Sequence, residues 1–183
     1  MQSNAMDLRK GLLVNHQGRT CTVIFWNILR NDRRAFVQLK LKDLLTGRIS
    51  EVKEHADTKY EVLDSEVIDL AHSYRDGQDE VFYTPDGVEF RCPAPAVEDA
   101  LKWQTETYKG LLVDGKLVTI SLPTSVVAKV VDTAPPMKGG GSGMKDAVLE
   151  NGVKIRVGLL VSNGDRVRLD PETLEYKERV ERV

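Results

Sequence analysis

Two cysteines, three histidines and an aromatic content of 6% leave this 183-residue chain poorly supplied for several kinds of chemistry. Cys21 and Cys92 are too few for the disulfide framework of a small secreted protein, and they match no zinc-site spacing. Both are expected to be reduced and unpaired inside a cell. His16, His55 and His72 likewise have no metal-binding spacing. No apolar run approaches the roughly 20 residues of a membrane span, and no signal peptide is evident, so a cytoplasmic chain without membrane contact is expected. The scarcity of aromatic residues argues against a surface dominated by stacking platforms. Trp26 in an apolar strand and Trp103 on an expected helix read as core. The five residues MQSNA before Met6 read as an expression-vector remnant and stand outside the functional reading.

A catalytic constellation is also lacking. Asp76, Asp79 and Glu80 resemble an acidic loop more than a positioned acid–base pair, and Ser121 and Ser125 lack a nucleophile motif. The stretch TAPPMKGGGSGMKDA invites a phosphate-loop reading, but Lys145 follows Met144 instead of the last glycine, and no Ser or Thr follows it. Triphosphate and magnesium binding is therefore not specified. The stretch reads as a flexible linker or a loop inside a β module, with Lys138 and Lys145 as candidate contacts to an external phosphate. The expectation is a non-enzyme with no catalytic residue, metal or cofactor.

What is present is strand patterning and segregated charge. The net charge of −2 averages eleven Lys/Arg against nine Asp/Glu over residues 6–67, five against ten over 68–128, and ten against nine over 129–183. Apolar segments at 12–14, 20–28, 35–41, 48–52 and 60–62 predict a five-stranded barrel or rolled sheet. Between the second and third lies an Arg-rich turn: Arg30, Asn31, Asp32, Arg33, Arg34. Cations projected beyond a small β scaffold can engage phosphates. In the strand that follows, Val37, Leu39 and Leu41 fall on one face and Gln38, Lys40 and Lys42 on the other, which leaves Lys40 and Lys42 as further candidate RNA contacts.

Residues 67–71 start the acidic middle, strands are predicted near 80–83, 87–90, 111–113 and 117–122, and Pro95 precedes a helix over VEDALKWQTETY. Glu98 and Asp99 are expected near its N-terminal end and Gly110 as its stop. Asp114-Gly115, Asn151-Gly152 and Asn163-Gly164 are hairpin-turn signals. Further strands are expected at 126–131, 147–149, 154–160, 166–169 and 174–177.

The ordering of MDLRKGLLV, AFVQLKLKDLLTGRISE, EDALKW, GKLVTISLPTSVVAKVVDTAPP, MKGGGSGMKDAVLENGVKIRV and NGDRVRLDPETLEYKERV resembles the bacterial elongation factor P family across residues 6–183, in particular its elongation-factor-P-like members. The resemblance implies a mainly β chain: an N-terminal KOW/SH3-like barrel (6–67) followed by two OB-like β-barrels, central (68–128) and C-terminal (129–183). It implies a noncatalytic translation elongation factor that binds the 70S ribosome, ribosomal RNA and P-site peptidyl-tRNA. Such a factor promotes peptide-bond formation at stalled sequences such as consecutive prolines, and an enzyme that modifies its tip is a further implied partner. The family tip commonly reads PGKGxAF or PGRGxAF. With AF aligned to Ala35-Phe36, Arg30 takes the Pro position, Asn31 and Arg33 the two Gly positions, and Asp32 the central basic position. An aspartate there cannot reproduce a modified lysine or arginine. The competing classes are a ribosome- or RNA-binding regulator that has lost the usual activity, and a protein-interaction module using the acidic middle.

Overall fold

The computed structural model describes residues 1–31, 33–138 and 143–181. Strands dominate it, in three antiparallel sheets. The first contains β1 (Gln2–Asn4), β2 (Leu13–His16), β3 (Arg19–Asn31), β4 (Arg34–Asp43), β5 (Ile49–His55) and β6 (Lys59–Val62), in the order β1-β6-β2-β3-β4-β5. Alternation along β4 sets its packing: Val37, Leu39 and Leu41 are fully buried opposite Ile28, Trp26 and Val23 of β3. Together with Leu8, Val14 and Tyr60 they form the core of this half-barrel. A bulge between Val23 and Phe25 adds a residue to β3 and increases the local twist that rolls the sheet.

The segment before Met6 is part of this fold. Gln2, Ser3 and Asn4 pair with Glu61, Tyr60 and Lys59, Ala5 is fully buried, and the Ala5 carbonyl accepts the Trp26 indole N–H at 3.1 Å. Whatever its origin, MQSNA supplies an edge strand and a core residue.

The second sheet comprises β7 (Glu66–Asp76), β8 (Asp79–Tyr83), β9 (Glu89–Pro93), β10 (Tyr108–Val113) and β11 (Lys116–Ile120), ordered β11-β10-β7-β8-β9. Its edge strands β9 and β11 approach each other, curling the sheet into a barrel. The connection from β9 to β10 contains α1 (Ala94–Leu101). This helix begins earlier and stops sooner than the sequence pattern predicts. Glu98 and Asp99 consequently lie beyond its first turn, where they do not cap it. Past its end, the Trp103 amide donates to the Ala100 carbonyl, and Tyr108 pairs with Leu70 as the first residue of β10. Gly110 is a packing residue in β10 and does not stop the helix. A Cβ there would lie 2.5 Å from Leu70 Cδ1 and 3.0 Å from Leu117 Cδ1. Asp114 and Gly115 have φ of +51° and +78°, the left-handed pair that a tight hairpin requires.

The third sheet holds β12 (Val126–Thr133), β13 (Met144–Leu149), β14 (Lys154–Gly158), β15 (Arg166–Leu169) and β16 (Tyr176–Glu181), ordered β14-β13-β12-β15-β16. β14 lies near β16, and a parallel bridge joins Arg156 to Glu175, closing a second barrel. Val130, Leu149, Val157, Val167 and Leu169 are fully buried in its core, and Trp103 packs with them. The chain groups into two compact units: Met1–Glu98 with Glu106–Ser121, and Asp99–Thr105 with Leu122–Val183. The architecture is mainly β, a KOW/SH3-like half-barrel followed by two OB-like barrels.

Two substitutions test these cores. Gly110→Ala forces a methyl against Leu70 and Leu117 and should lower unfolding free energy by about 1–3 kcal/mol in urea titration; an unchanged midpoint would mean that the contact is not tight. Trp103→Ala should cost about 3–5 kcal/mol through the cavity it leaves in the third barrel. A loss below about 1 kcal/mol would remove Trp103 from that core.

Candidate nucleic-acid interface

The Arg-rich turn lies at the end of the long β3–β4 hairpin. Its last pairings are Leu29↔Phe36, Arg30↔Ala35 and Asn31↔Arg34, with Arg33 in the turn before β4. Asp32 lies outside the described residues. β5 supports the hairpin only as far as His55, opposite Phe36, with one further backbone bond from the Ala56 amide to the Ala35 carbonyl at 3.1 Å. Beyond that point the two strands project alone. Arg30, Asn31, Arg33 and Arg34 are all exposed.

Strand alternation determines where the cations point. Arg30 shares a face with Ala35, whereas Arg34 shares the other with Asn31. The arginines surround the tip instead of forming a flat patch, and Asn31, Arg33, Arg34 and Phe36 line a shallow hollow on one side. No ion pair engages Arg30, Arg33 or Arg34 among the described residues. A guanidinium presents several donors in a planar fork suited to phosphate oxygens, so this end can receive a polyanion from more than one direction.

The four lysines singled out by sequence separate into different environments. Lys138 is exposed beside the glycine-rich segment, whose residues 139–142 lie outside the described set. Lys40 is half-buried, with its ammonium 5.3 Å from the Phe25 ring centre. Lys42 and Lys145 require correction as RNA contacts. Lys42 is 5% exposed and meets Glu98 at 3.5 Å. Lys145 is also buried, and its ammonium donates to the Ala134 and Val161 carbonyls. Burial pushes the Lys145 pKa below its usual range, opposed by the nearby Asp165 carboxylate. Lys145 thus ties the start of the β12–β13 connection to the segment after β14, and its charge is not available to an external phosphate.

Other reactive side chains are similarly committed. Burial pushes the Cys92 thiol up to about 12 and also raises Cys21, which disfavours the thiolate needed for nucleophilic chemistry. Asp76, Asp79 and Glu80 lie on the paired ends of β7 and β8 and not in a loop, where Glu80 hydrogen-bonds His72 at 2.7 Å and Asp76 pairs with Arg91. Trp26 has its indole bonded to Ala5 and the Arg9 guanidinium 4.3 Å above its ring, so it is not a bare stacking platform.

The structure also presents a surface that the sequence reading did not assemble. On the face of β3–β4–β5 opposite the core lie Phe25, Asn27 and Leu29, then Arg34, Phe36, Gln38 and Lys40, then Glu51, Lys53 and His55. Lys53 Nζ is 4.8 Å from the Phe36 ring centre, and the His55 ring lies at the same centroid distance from it. The alternation of β5 contained this signal, but its register with β4 was needed to bring Lys53 and His55 to Phe36.

The elongation factor P KOW-like domain matches residues 4–60, and the elongation factor P C-terminal domain matches residues 126–179. The elongation factor P of Dechloromonas aromatica (strain RCB) is 36% identical over 181 residues, covering 96% of this chain and 98% of the relative. That of Thermosipho africanus (strain TCF52B) is 35% identical over 178 residues, covering 94% and 96%. The solved eukaryotic translation initiation factor 5A from Methanococcus jannaschii has 14% identity, covers 67% of this chain and 92% of its own, and superposes with a TM-score of 0.48. Near-complete coverage by the bacterial relatives, with domain matches at both ends, places this chain in the elongation factor P family.

Proposed function

We propose that the chain is a noncatalytic translation elongation factor that binds the 70S ribosome and P-site peptidyl-tRNA and promotes peptide-bond formation at stalled sequences such as consecutive prolines. Its three modules would be residues 6–67, 68–128 and 129–183. The observation that carries the reading is the projecting, cationic β3–β4 tip on a chain of this family. The ribosome supplies the reaction centre, so no protein nucleophile is needed. A factor that restricts the tRNA to a productive arrangement lowers the entropic part of the barrier. Arg30, Arg33 and Arg34 contribute phosphate contacts to tRNA or ribosomal RNA.

The tip chemistry also favours a second reading, a ribosome-binding regulator that lacks the usual activity. The turn contains neither of the family's glycines and carries Asp32 at its central basic position. A carboxylate among RNA phosphates is repelled, while cations at Arg33 and Arg34 sit one and two residues later. With no lysine in the tip, a modifying enzyme would have to act on arginine.

Paired assays of ribosome association and of peptide synthesis through consecutive proline codons separate these readings. Changing Arg30, Arg33 and Arg34 together to Ala should weaken ribosome association on the order of 10-fold at near-physiological salt and flatten its salt dependence; unchanged binding would argue against the tip as a contact. Wild-type protein that shortens proline stalls supports the elongation-factor reading. If the wild type binds without rescue while Asp32→Lys binds equally and rescues, the regulator reading holds and Asp32 is the functional break.

A further inference from the structure

We propose that the outer face of β3–β4–β5 is a second nucleic-acid contact, one that takes a single RNA strand with bases stacked on Phe25 and Phe36. This inference goes beyond the tip reading, because it concerns a sheet face whose phenylalanines the tip arginines do not need. Phe25 is 38% exposed and Leu29 37%, large values for side chains on a three-stranded platform. Phe36 lies beside Leu29 in register and opposite His55. Between the two rings, Asn27 pairs with Gln38. The exposed Asn27 amide offers both a donor and an acceptor to a base edge.

The charge on this face fits the same occupant. Arg34, Lys40 and Lys53 stand against Glu51, which Gln38 engages through a side-chain hydrogen bond, while Glu98 meets Lys42 at the far end of the face. Lys40 covers Phe25 and Lys53 covers Phe36 through cation–π contacts. An exposed cation–π pair is worth less than a base stacked on the same ring. An incoming strand can therefore displace each ammonium from its ring toward the adjacent phosphate, where the charge is retained and the ring becomes a platform. A protein partner would instead face lysines standing over both rings, with the exposed Leu29 and Ile49 at opposite ends of the face. Duplex RNA fits poorly for a different reason: its bases are paired and stacked internally and do not offer their faces to the rings.

The test uses the full chain and a fluorescein-labelled oligouridylate of about ten nucleotides, within the span a small β-barrel covers. Anisotropy should show the single strand binding more tightly than a duplex of equal length. Phe25→Leu/Phe36→Leu, which keeps the apolar bulk, should weaken single-strand binding at least ~5-fold. Changing the three tip arginines to Ala should lower the affinity with a change in salt slope but keep the preference for single strands. In the wild-type protein, the ring protons of Phe25 and Phe36 should shift on titration, a readout that needs no variant to fold. Unmoved ring signals, unchanged affinity in the folded double variant, or equal affinity for duplex would each overturn the proposal. The oligonucleotide assay contains no ribosome, so its failure leaves the ribosomal reading standing, and failure of proline rescue leaves this one standing.

Discussion

Burial of Val37, Leu39 and Leu41 is the constraint on which the first barrel and its candidate interfaces depend. Side chains on a strand alternate with a period of two, so locking these three inward fixes everything between them outward. A one-residue slip would bury Gln38 and Lys40 and expose the aliphatic row. The apolar face therefore pins the register, and the register places Phe36 beside Leu29, carries Arg30 and Arg34 to opposite sides of the tip, and aligns β5 with β4. The exposed tip needs no local stabilising cluster of its own, because its position is inherited from strands anchored deeper in the sheet.

Much of this was legible in the sequence, because alternation is a local property. Val37, Leu39 and Leu41 announce their face, and Asp114-Gly115 and Asn151-Gly152 mark hairpins whose strands pair, whereas Asn163-Gly164 connects β14 to β15, which are not neighbours in the sheet. The limits arose where a long-range partner decided the outcome. The helical spacing running toward Tyr108 was overruled by β pairing with Leu70 and by the place of Trp103 in a different core. Gly110 looked like a terminator, but its lack of a side chain serves two leucines, one distant and one across the hairpin. Lys42 shows the same limit electrostatically. Alternation correctly placed it on the face opposite Leu41, but the covering of that end of the face and the approach of Glu98 depend on a residue from α1.

The charge distribution gains meaning once the fold is known. Several acidic groups of the middle region are engaged with cations or hydrogen-bond donors, including Asp69 with Lys109, Asp76 with Arg91 and Glu80 with His72. The tip arginines have no such engagement among the described residues, and this availability, more than regional charge counts, sets them apart from groups that hold strands together. Lys145 is the counterexample in the third sheet: a cation consumed by carbonyl oxygens ties two connections together.

The amino-terminal strand has a consequence for behaviour in solution. β1 covers β6, with the Val62 amide donating to the Met1 carbonyl at 2.8 Å. Without those few residues, β6 would present a row of unmatched backbone donors and acceptors, a template for strand addition from another molecule. With β1 paired to it, β6 is an inner strand of the sheet, and the backbone groups that strand addition would use are already engaged.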